Sequence, residues 1–526
     1  MEREAAVTAS TVDGVLRRAA ARGPDRTALR FGGREWSYAE LDRGASRVAA
    51  WLLGLGLTRG DRVAAFGGNS DAYVLAFLGC ARAGLVHVPV NPALRREELA
   101  YLLAQSGAIV VLADPRLAGR VEEVRPSVPA RDVLALRGAL ESVLEVARDP
   151  HAPTGPVTDV SDTDLAQLLY TSGTTSAPKG AMLTHRALVH EYASCLYALD
   201  IAEDDRILHA LPLYHSAQMH VFLMPGLAAG ACNTVSEAPD PGDVLRRVEE
   251  DRATSFFAPP TVWLALRDHP DFDTRDLESL AKGYYGAAAM PVPALEDIRA
   301  RRPGIGFYNC FGQSEIGPLA TVLRPEEHTP GRMDSCGRPV LHVEARVVRE
   351  DGTAAAPGET GEVVYRSPQL CSGYWEKPEE TAEAFRGGWF HSGDLARRDA
   401  DGYFTVVDRL KDVINTGGVL VASREVEEVL YRHPSVAEAA VIALPDDTWG
   451  EAGTAVVVPR ARVAGDELIA FTRRHLAGFK VPKQVRLVED LPRNASGKLL
   501  KRVLRDELSE EDGRKGAEAP PPGPGA

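Results

Sequence analysis

The sequence contains little lysine, few cysteines and no long apolar run. Only nine of its 60 basic residues are lysines, so arginine supplies nearly all of the positive charge. No stretch of about 18 or more apolar residues is present, which argues against a membrane span. The net charge of −14 disfavours nucleic acid as a partner of the whole chain.

The six cysteines are widely scattered. They fit neither a disulfide framework nor CxxC metal spacing, which favours a reducing compartment. The first ten residues, "MEREAAVTAS", include acidic residues and lack a long apolar core. We therefore expect no secretory signal and a cytoplasmic protein.

The length and the order of the patterns indicate several domains. A chain of 526 residues is long for one hydrophobic core. Ser37 and Glu40 have capping-box spacing at the start of an amphipathic helix. Alternating apolar strands and helices follow, which predicts parallel strands with helices on both faces. The predicted strands are 62–66, 86–90 and 108–113, and the predicted helices are 72–83 and 97–105.

Shifts in composition divide the rest of the chain. Pro, Thr, Asp and Gly at 149–162 indicate a connector, and a second α/β stretch extends to about residue 325. Short valine-rich strands and glycine turns at 336–408 indicate a smaller β-rich unit. Helix and strand signals return up to about residue 508, and the charged, then Pro- and Gly-rich segment 509–526 predicts a disordered tail.

The segment "YTSGTTSAPKG" at 170–180 places hydroxyls and glycines before a single lysine. Glycines permit close approach of a ligand to the backbone, and loop N–H groups with hydroxyls bind anionic oxygens. Lys179 adds a point charge suited to phosphate, so the segment indicates a polyphosphate cradle. It is not a Walker A loop, because Gly180 follows the lysine. A solvated Ser/Thr/Gly turn is the alternative reading of this segment taken alone.

Four later motifs are each ambiguous alone. "FGQSE" supplies Ser314 and Glu315, a hydroxyl and a carboxylate suited to phosphate and Mg²⁺. "WFHSGDL" places Asp394 in a glycine turn, where a carboxylate either accepts ribose hydroxyls or caps an ordinary turn. "DRLKD" carries Arg409 and Lys411. "LPRNASGKLLKR" places Lys498 after a Ser-Gly turn, which alone is more often a solvated helix start.

Taken together and in this order, these motifs strongly resemble those of the adenylate-forming superfamily. That superfamily includes acyl-CoA synthetases, aryl-CoA ligases, firefly luciferase and the adenylation domains of peptide synthetases. The resemblance extends from "SYAEL" to "GKLLKR", nearly the whole chain. It implies an α/β, multi-domain fold: a large N-terminal domain of two α/β subdomains plus a β-rich subdomain, and a small mobile α+β C-terminal domain. The implied boundaries are 1–408 for the ATP- and acid-binding domain and 409–508 for the mobile domain, with the hinge at Lys411.

The resemblance also implies roles for individual residues. Lys498 would catalyse adenylation, Glu315 would hold Mg²⁺, and Asp394 and Arg409 would bind the ribose. His215 would lie at the entrance of the acyl pocket, although on physical grounds a packed core histidine is equally consistent. The remaining implied ATP-binding positions are Thr171, Ser172, Gly173, Thr174, Thr175, Lys179, Gly286, Ala287, Ala288, Asn309, Cys310, Phe311, Gly312 and Ser314.

The implied substrates are ATP, CoA and a carboxylic acid. No acidic residue occurs in "YHSAQMH", the segment where amino-acid adenylation domains bind an ammonium group, which disfavours an amino acid. The candidate acyl-pocket residues are mostly small or apolar, which favours a medium- or long-chain fatty acid or a bulky ring acid. These residues are His215, Ala217, Gln218, Gly286, Ala287, Cys310, Gly312 and Leu319.

Two departures from the family pattern bear on function. Ser176 replaces a glycine of the phosphate loop. In "GGVLVASREVEEVL", Gly417 and Gly418 are candidate CoA contacts, but Ala422 and Ser423 stand where related synthetases have Tyr and Pro, and Val419 and Leu420 replace Glu and Asn. The acceptor is therefore predicted to be CoA, with a carrier protein as the alternative, and a non-catalytic nucleotide-binding scaffold as the non-enzymatic alternative. We expect a monomer or a homodimer.

Overall fold

The computed structural model describes residues 10–154, 159–171, 177–416, 419–446, 449–493 and 499–517. The helices, in chain order, are α1 (Val12–Arg22), α2 (Tyr38–Gly54), α3 (Asp71–Ala83), α4 (Arg96–Ser106), α5 (Pro115–Val124), α6 (Val143–Arg148), α7 (His185–Ala198), α8 (Met224–Ala229), α9 (Pro241–Glu250), α10 (Pro260–Asp268), α11 (Val292–Arg301), α12 (Pro378–Ala384), α13 (Ser423–Leu430), α14 (Gly465–His475) and α15 (Lys501–Ala517).

The strands are β1 (Thr27–Phe31), β2 (Arg34–Ser37), β3 (Arg62–Phe66), β4 (Val86–Val90), β5 (Val110–Ala113), β6 (Asp132–Ala135), β7 (Leu165–Thr171), β8 (Lys179–Thr184), β9 (Arg206–His209), β10 (Cys232–Val235), β11 (Ser255–Ala258), β12 (Lys282–Gly286), β13 (Gly306–Phe311), β14 (Thr321–Leu323), β15 (Arg338–Pro339), β16 (Glu344–Val348), β17 (Thr360–Arg366), β18 (Phe390–Arg398), β19 (Phe404–Arg409), β20 (Ile414–Thr416), β21 (Val419–Val421), β22 (Val436–Asp446), β23 (Gly450–Pro459) and β24 (Gln484–Leu487).

The contacts divide the chain into two compact units. The first comprises 1–345 and 364–392, and the second comprises 346–363 and 393–526. The predicted α/β, multi-domain fold class is confirmed. The boundary predicted at residue 408 and the hinge at Lys411 concern movement between domains, and they stay predictions.

Two large sheets form the frame of the first unit. One has six strands in the order β6-β5-β3-β4-β7-β8, parallel except for the antiparallel pair β7–β8. The other has nine strands in the order β15-β14-β13-β12-β11-β9-β10-β1-β2, with a parallel centre and antiparallel edges. Central strands such as β4, "VHVPV", are buried along their whole length, as parallel strands covered on both faces require.

Helices α2 and α3 show how local sequence determines the packing. Ser37 and Glu40 form the predicted capping box at the start of α2, each satisfying a backbone N–H of the other. Every residue of α3 is buried, as its nearly continuous apolar sequence requires. The guanidinium of Arg82 within α3 is paired with Asp13 at 2.6 Å and Asp42 at 2.5 Å, which compensates its burial.

The second unit is built on a smaller sheet. Strands β21-β20-β23-β22 pair in that order, and β24 pairs with β23. A further four-stranded sheet has the order β16-β17-β18-β19. Helix α15 continues to Ala517, past residue 508, where the sequence predicted the start of a disordered tail. Leu504 and Leu508 pack in the core of this unit, and a helix that has begun propagates at little cost.

Candidate active site

The candidate adenine-binding residues lie at the carboxyl ends of two neighbouring parallel strands. Gly286 ends β12 and is paired in register with Cys310 of β13. The backbones approach so closely that a Cβ on Gly286 would lie 2.2 Å from the carbonyl oxygen of Cys310. Ala287 follows with a φ of +64°. Ligands of open α/β sheets bind at this end of the strands, so the structure brings these predicted residues together in a suitable place.

Glu315 lies in a short 3₁₀ turn that follows β13, and it is 8% exposed. Its Oε1 accepts a hydrogen bond from the Thr171 hydroxyl at 3.2 Å and another from the Tyr374 hydroxyl at 3.1 Å. Among the described residues, these donors are neutral. Two neutral hydroxyls thus orient the carboxylate, and no lysine or arginine in the described part of the chain forms an ion pair with it.

Tyr374 was not predicted from the sequence. Its hydroxyl donates to Glu315, and its ring centroid lies 5.1 Å from the Nζ of Lys179. Burial and the adjacent carboxylate raise the pKa of Tyr374, which keeps the phenol protonated as a donor. The signal in the sequence is "CSGYW", a glycine followed by two aromatic residues.

The segment 371–375 is held against the site by backbone hydrogen bonds. The N–H of Cys371 donates to the carbonyl of Glu315 at 2.7 Å. The N–H of Trp375 donates to the carbonyl of Gly180 at 2.8 Å. These bonds place Tyr374 between the two charged groups that the sequence had predicted for phosphate and metal.

The donor set around Glu315 suits Mg²⁺. This ion is usually bound by one or two carboxylates together with substrate phosphates and water, so it does not need a cage of protein ligands. The Glu315 carboxylate next to the Thr171 hydroxyl meets that requirement. In the described part of the chain, no group of three His, Cys, Asp or Glu side chains forms a metal site of its own.

The predicted acyl-pocket residues differ in burial and in hydrogen bonding. Ser314 is hydrogen-bonded to Ser216 at 3.0 Å, directly beside the half-buried His215. Gln218 is buried, with its Oε1 accepting from the N–H of Leu211 at 3.3 Å and its Nε2 lying 2.7 Å from His209. Both polar atoms of the Gln218 amide are therefore hydrogen-bonded within the core. Ala217 is half-buried and Leu319 is buried.

Asn309 lies within β13 and Gly312 directly follows this strand. Asn309 donates from its amide to the carbonyl of Ser335 at 2.8 Å. A Cβ on Gly312 would lie 2.0 Å from the carbonyl oxygen of Pro318, so a larger residue does not fit there. Phe311 is the last residue of β13, and Ala288 lies two residues beyond the end of β12. The remaining predicted residues lie outside the described part of the chain: Ser172, Gly173, Thr174, Thr175, Gly417, Gly418 and Lys498.

In the second unit, Asp394 and Arg409 face each other. They are paired across β18 and β19, and the Nε of Arg409 lies 3.1 Å from Asp394 Oδ1. Asp394 is 3% exposed, so its guanidinium partner compensates a buried charge. Lys411 follows two residues later, and burial together with the charge of Arg409 lowers its pKa to about 8.

Ser423, a departure from the family pattern, is part of a buried hydrogen-bond network in the second unit. Its N–H and its hydroxyl donate to Asp408 Oδ2 at 2.5 and 2.8 Å. The ammonium of Lys501 donates to the Ser423 hydroxyl at 2.5 Å and pairs with Glu427 at 2.7 Å. Burial alone lowers the pKa of Lys501, but Glu427 and Asp408 outweigh that effect and raise it. A proline at position 423 has no N–H, so it could not make the first of these bonds.

No helix among the described residues combines the length and the apolar character that crossing a bilayer requires.

The sequence matches two family profiles. Residues 16–375 match the AMP-binding enzyme family, and residues 425–498 match the AMP-binding enzyme C-terminal domain. The first match covers more than half of the chain and includes Thr171, Lys179, Glu315 and Tyr374.

Relatives and solved structures agree with these matches. A feruloyl-CoA synthase from Amycolatopsis sp is 42% identical over 93% of this chain and 97% of its own. The medium/long-chain-fatty-acid–CoA ligase FadD8 of Mycobacterium tuberculosis is 36% identical over 84% of this chain and 80% of its own. The crystal structure of ATP-bound MatB from Rhodopseudomonas palustris is 30% identical, covers 96% of this chain and 100% of its own, and superposes with a TM-score of 0.89. The chain therefore belongs to the AMP-binding enzyme family, in its branch of AMP-forming acid–CoA ligases.

Proposed function

We propose that this ligase activates an aromatic acid of the ferulate type with ATP and transfers the acyl group to CoA. The observation that supports the choice of acid is the 42% identity to a feruloyl-CoA synthase over nearly the full length of both chains. The mostly small or apolar candidate pocket residues are compatible with a flat ring. A medium- or long-chain fatty acid is the second candidate, supported by the similarity to FadD8.

The reaction has two steps. In the first, a carboxylate oxygen of the acid attacks the α-phosphorus of ATP, the bond to the β-phosphate oxygen breaks, and pyrophosphate leaves. In the second, the CoA sulfur attacks the carbonyl carbon of the acyl adenylate, AMP leaves, and the thiol proton is lost to solvent or base. Both partners of the first step are anions, so the site must lower their repulsion.

The residues of this chain divide that task. We propose that Glu315 with Thr171 holds Mg²⁺, which when bound neutralises charge on the phosphates. Lys179 contributes a cation whose position is restricted by the face of Tyr374, so less reorganisation is needed when charge develops. Asp394 and Arg409 take the ribose hydroxyls, Gly286 and its neighbours border the adenine, and Lys411 is the hinge.

The role of Lys498 follows from the family resemblance. We propose that its ammonium bridges the carboxylate and the α-phosphate in the first step only. Lys498→Ala is then expected to abolish acid-dependent pyrophosphate release while still converting supplied acyl-AMP and CoA to thioester. An equal loss of both half-reactions in a folded variant would refute this role.

One screen tests the proposed function. The protein is incubated with ATP, Mg²⁺ and CoA and with ferulate, cinnamate, decanoate or palmitate in turn. Acyl-CoA and acyl-AMP are measured by mass spectrometry, and pyrophosphate release is measured in parallel. We expect feruloyl-CoA to form fastest. A faster reaction with decanoate or palmitate supports the fatty-acid candidate. Accumulation of acyl-AMP without acyl-CoA indicates a carrier-protein acceptor, and absence of pyrophosphate release with every acid indicates a non-catalytic scaffold.

A further inference from the structure

A second buried carboxyl group lies near the segment that follows Glu315. Glu191 belongs to α7 and is fully buried. In the described part of the chain its partners are a backbone N–H, a side-chain amide and a thiol, none of them cationic. Burial raises the pKa of this carboxyl group well above its usual value. Burying a carboxyl group without a cationic partner costs free energy.

Glu191 and Gln369 together form hydrogen bonds with the backbone N–H and C=O groups of the segment 316–319. Glu191 Oε1 accepts from the N–H of Leu319 at 2.8 Å, and its Oε2 accepts from Nε2 of Gln369. The same Nε2 lies 3.0 Å from the carbonyl oxygen of Ile316 and 2.8 Å from that of Leu319, so its two hydrogens are shared among three acceptors. Ser194 orients Gln369 by donating to its Oε1 at 2.9 Å.

The segment leaves no room between itself and Glu191. Gly317 has a φ of +106°, and a Cβ at that position would lie 2.8 Å from Glu191 Oε2. A glycine is therefore needed on two grounds, backbone conformation and space. The carboxyl group of Glu191 and the segment 316–319 are therefore in direct contact, with a hydrogen bond to Leu319 and close packing at Gly317.

This segment adjoins the turn that carries Glu315. On one side, the Glu315 carbonyl is bound by the N–H of Cys371 at 2.7 Å. On the other side, the next residue, Ile316, is bound by Gln369. The backbone around Glu315 is thus hydrogen-bonded on both sides, and the side chain of Glu315 accepts hydrogen bonds from the hydroxyls of Thr171 and Tyr374.

We propose that Glu191 and Gln369 are positioning residues, which act through the segment 316–319 to hold Glu315 in the orientation that binds the divalent cation. This inference rests on the role proposed above for Glu315. Partners that orient a metal ligand affect metal affinity even though they do not touch the metal. A role in core stability alone would leave the cation dependence of the reaction unchanged.

The test compares three variants. Glu191→Gln keeps the side-chain shape and one acceptor for the Leu319 N–H, but it presents an amide to the amide of Gln369. Gln369→Met removes the donors to Ile316 and Leu319 at similar volume. Tyr192→Phe is the matched control, because this neighbour on α7 is equally buried and its hydroxyl bonds to His220 at 3.0 Å instead of to the segment.

The first measurement is the Mg²⁺ dependence of acid-dependent pyrophosphate release. We expect the half-saturating Mg²⁺ concentration to rise about tenfold in Glu191→Gln and Gln369→Met and to stay unchanged in Tyr192→Phe. Unchanged Mg²⁺ dependence in the first two variants, or an equal rise in the control, overturns the inference.

The second measurement needs neither metal nor turnover. Hydrogen exchange of the amides at 316–320 is followed by mass spectrometry in the protein without nucleotide, and we expect it to accelerate about tenfold in the first two variants only. Unchanged exchange in these variants overturns the inference. If the unmodified protein releases no pyrophosphate with any acid, the proposed function falls and the inference with it. If the unmodified protein is active but the Mg²⁺ dependence is unchanged in Glu191→Gln and Gln369→Met, the proposed function stands and only this inference is refuted.

Discussion

Glu315 and Asp394 are both nearly buried carboxylates that the sequence predicted for the nucleotide site, but their partners differ in charge. Glu315 is held by two neutral hydroxyls, those of Thr171 and Tyr374. Asp394 is paired with the guanidinium of Arg409 at 3.1 Å. A carboxylate with neutral donors retains its charge for a cation, whereas one paired with arginine is already compensated and is suited to accept hydroxyl groups. The difference is consistent with the proposal that Glu315 binds the metal and Asp394 binds the sugar.

The largest effect is expected from neutralising the first of the two carboxylates. Glu315→Gln keeps the side-chain shape and removes the carboxylate charge that we propose binds Mg²⁺. Because partners of a metal ligand already affect activity by 10–100-fold, loss of the ligand itself should reduce pyrophosphate release about 100-fold or more. Glu326→Gln, at an exposed position of the same unit, is the control. Equal activity of the two variants would contradict the assignment.

A smaller effect is expected from the neutral donor. Tyr374→Phe keeps the ring below Lys179 but removes the hydrogen bond to Glu315. We expect about a tenfold loss of activity that higher Mg²⁺ concentrations partly restore. Tyr308→Phe, which loses a hydrogen bond to Asp200 elsewhere in this unit, serves as the control. A loss that is insensitive to Mg²⁺ would mean that Tyr374 acts through packing.

Substitutions of Ser423 are expected to lower the stability of the second unit. Proline at the first residue of a helix is usually tolerated, because its missing N–H has no partner within the helix. At Ser423 that N–H is bonded to Asp408 Oδ2, so Ser423→Pro should lower the free energy of unfolding by about 1–3 kcal/mol. Ser423→Ala keeps the N–H and should lower it less. Denaturant unfolding measures both, and an equal effect of the two would show that the N–H bond contributes nothing.

Lowering the pH is expected to reduce the stability of the first unit gradually and more than that of the second unit. Burial lowers the pKa of His87 and His220 to about 3 and of His185 and His209 to about 4, and all four lie in the first unit. The unfolded chain binds protons at these residues below about pH 6.5, so the stability that they contribute is complete above that pH. It falls as pH decreases from 6.5 toward 3, by up to about 1.4 kcal/mol per pH unit for each histidine. Hydrogen exchange at pH 7 and pH 5 should show the first unit losing protection. Greater loss in the second unit would contradict this account.

Local patterns predicted much of the fold. The strand over 62–66 and the strand over 86–90 occur as β3 and β4 with the same bounds, and the Ser37–Glu40 capping box is present. These features depend on residues within one turn or one strand. The phosphate and metal candidates Lys179 and Glu315 were identified from motifs, and the structure places both against Tyr374.

Features that depend on distant pairs were missed. Tyr374 and Glu315 are 59 positions apart, and Gln369 and Glu191 are 178 apart, so no local pattern links them. The change to Ser423 was recognised as a departure, but its partner Asp408 becomes evident only when the backbone N–H is located in space. The placement of Gln218 in the acyl pocket stays a prediction, and the hydrogen bonds of its amide to His209 and Leu211 were not evident from the sequence.

The assignment of metal to Glu315 and sugar to Asp394 is tested most directly by two titrations of pyrophosphate release, one with Mg²⁺ at saturating ATP and one with ATP at saturating Mg²⁺. The account predicts that Glu315→Gln raises the Mg²⁺ requirement about tenfold or more with a smaller change in the KM for ATP, and that Asp394→Asn does the reverse. A raised Mg²⁺ requirement in Asp394→Asn, with none in Glu315→Gln, would contradict it.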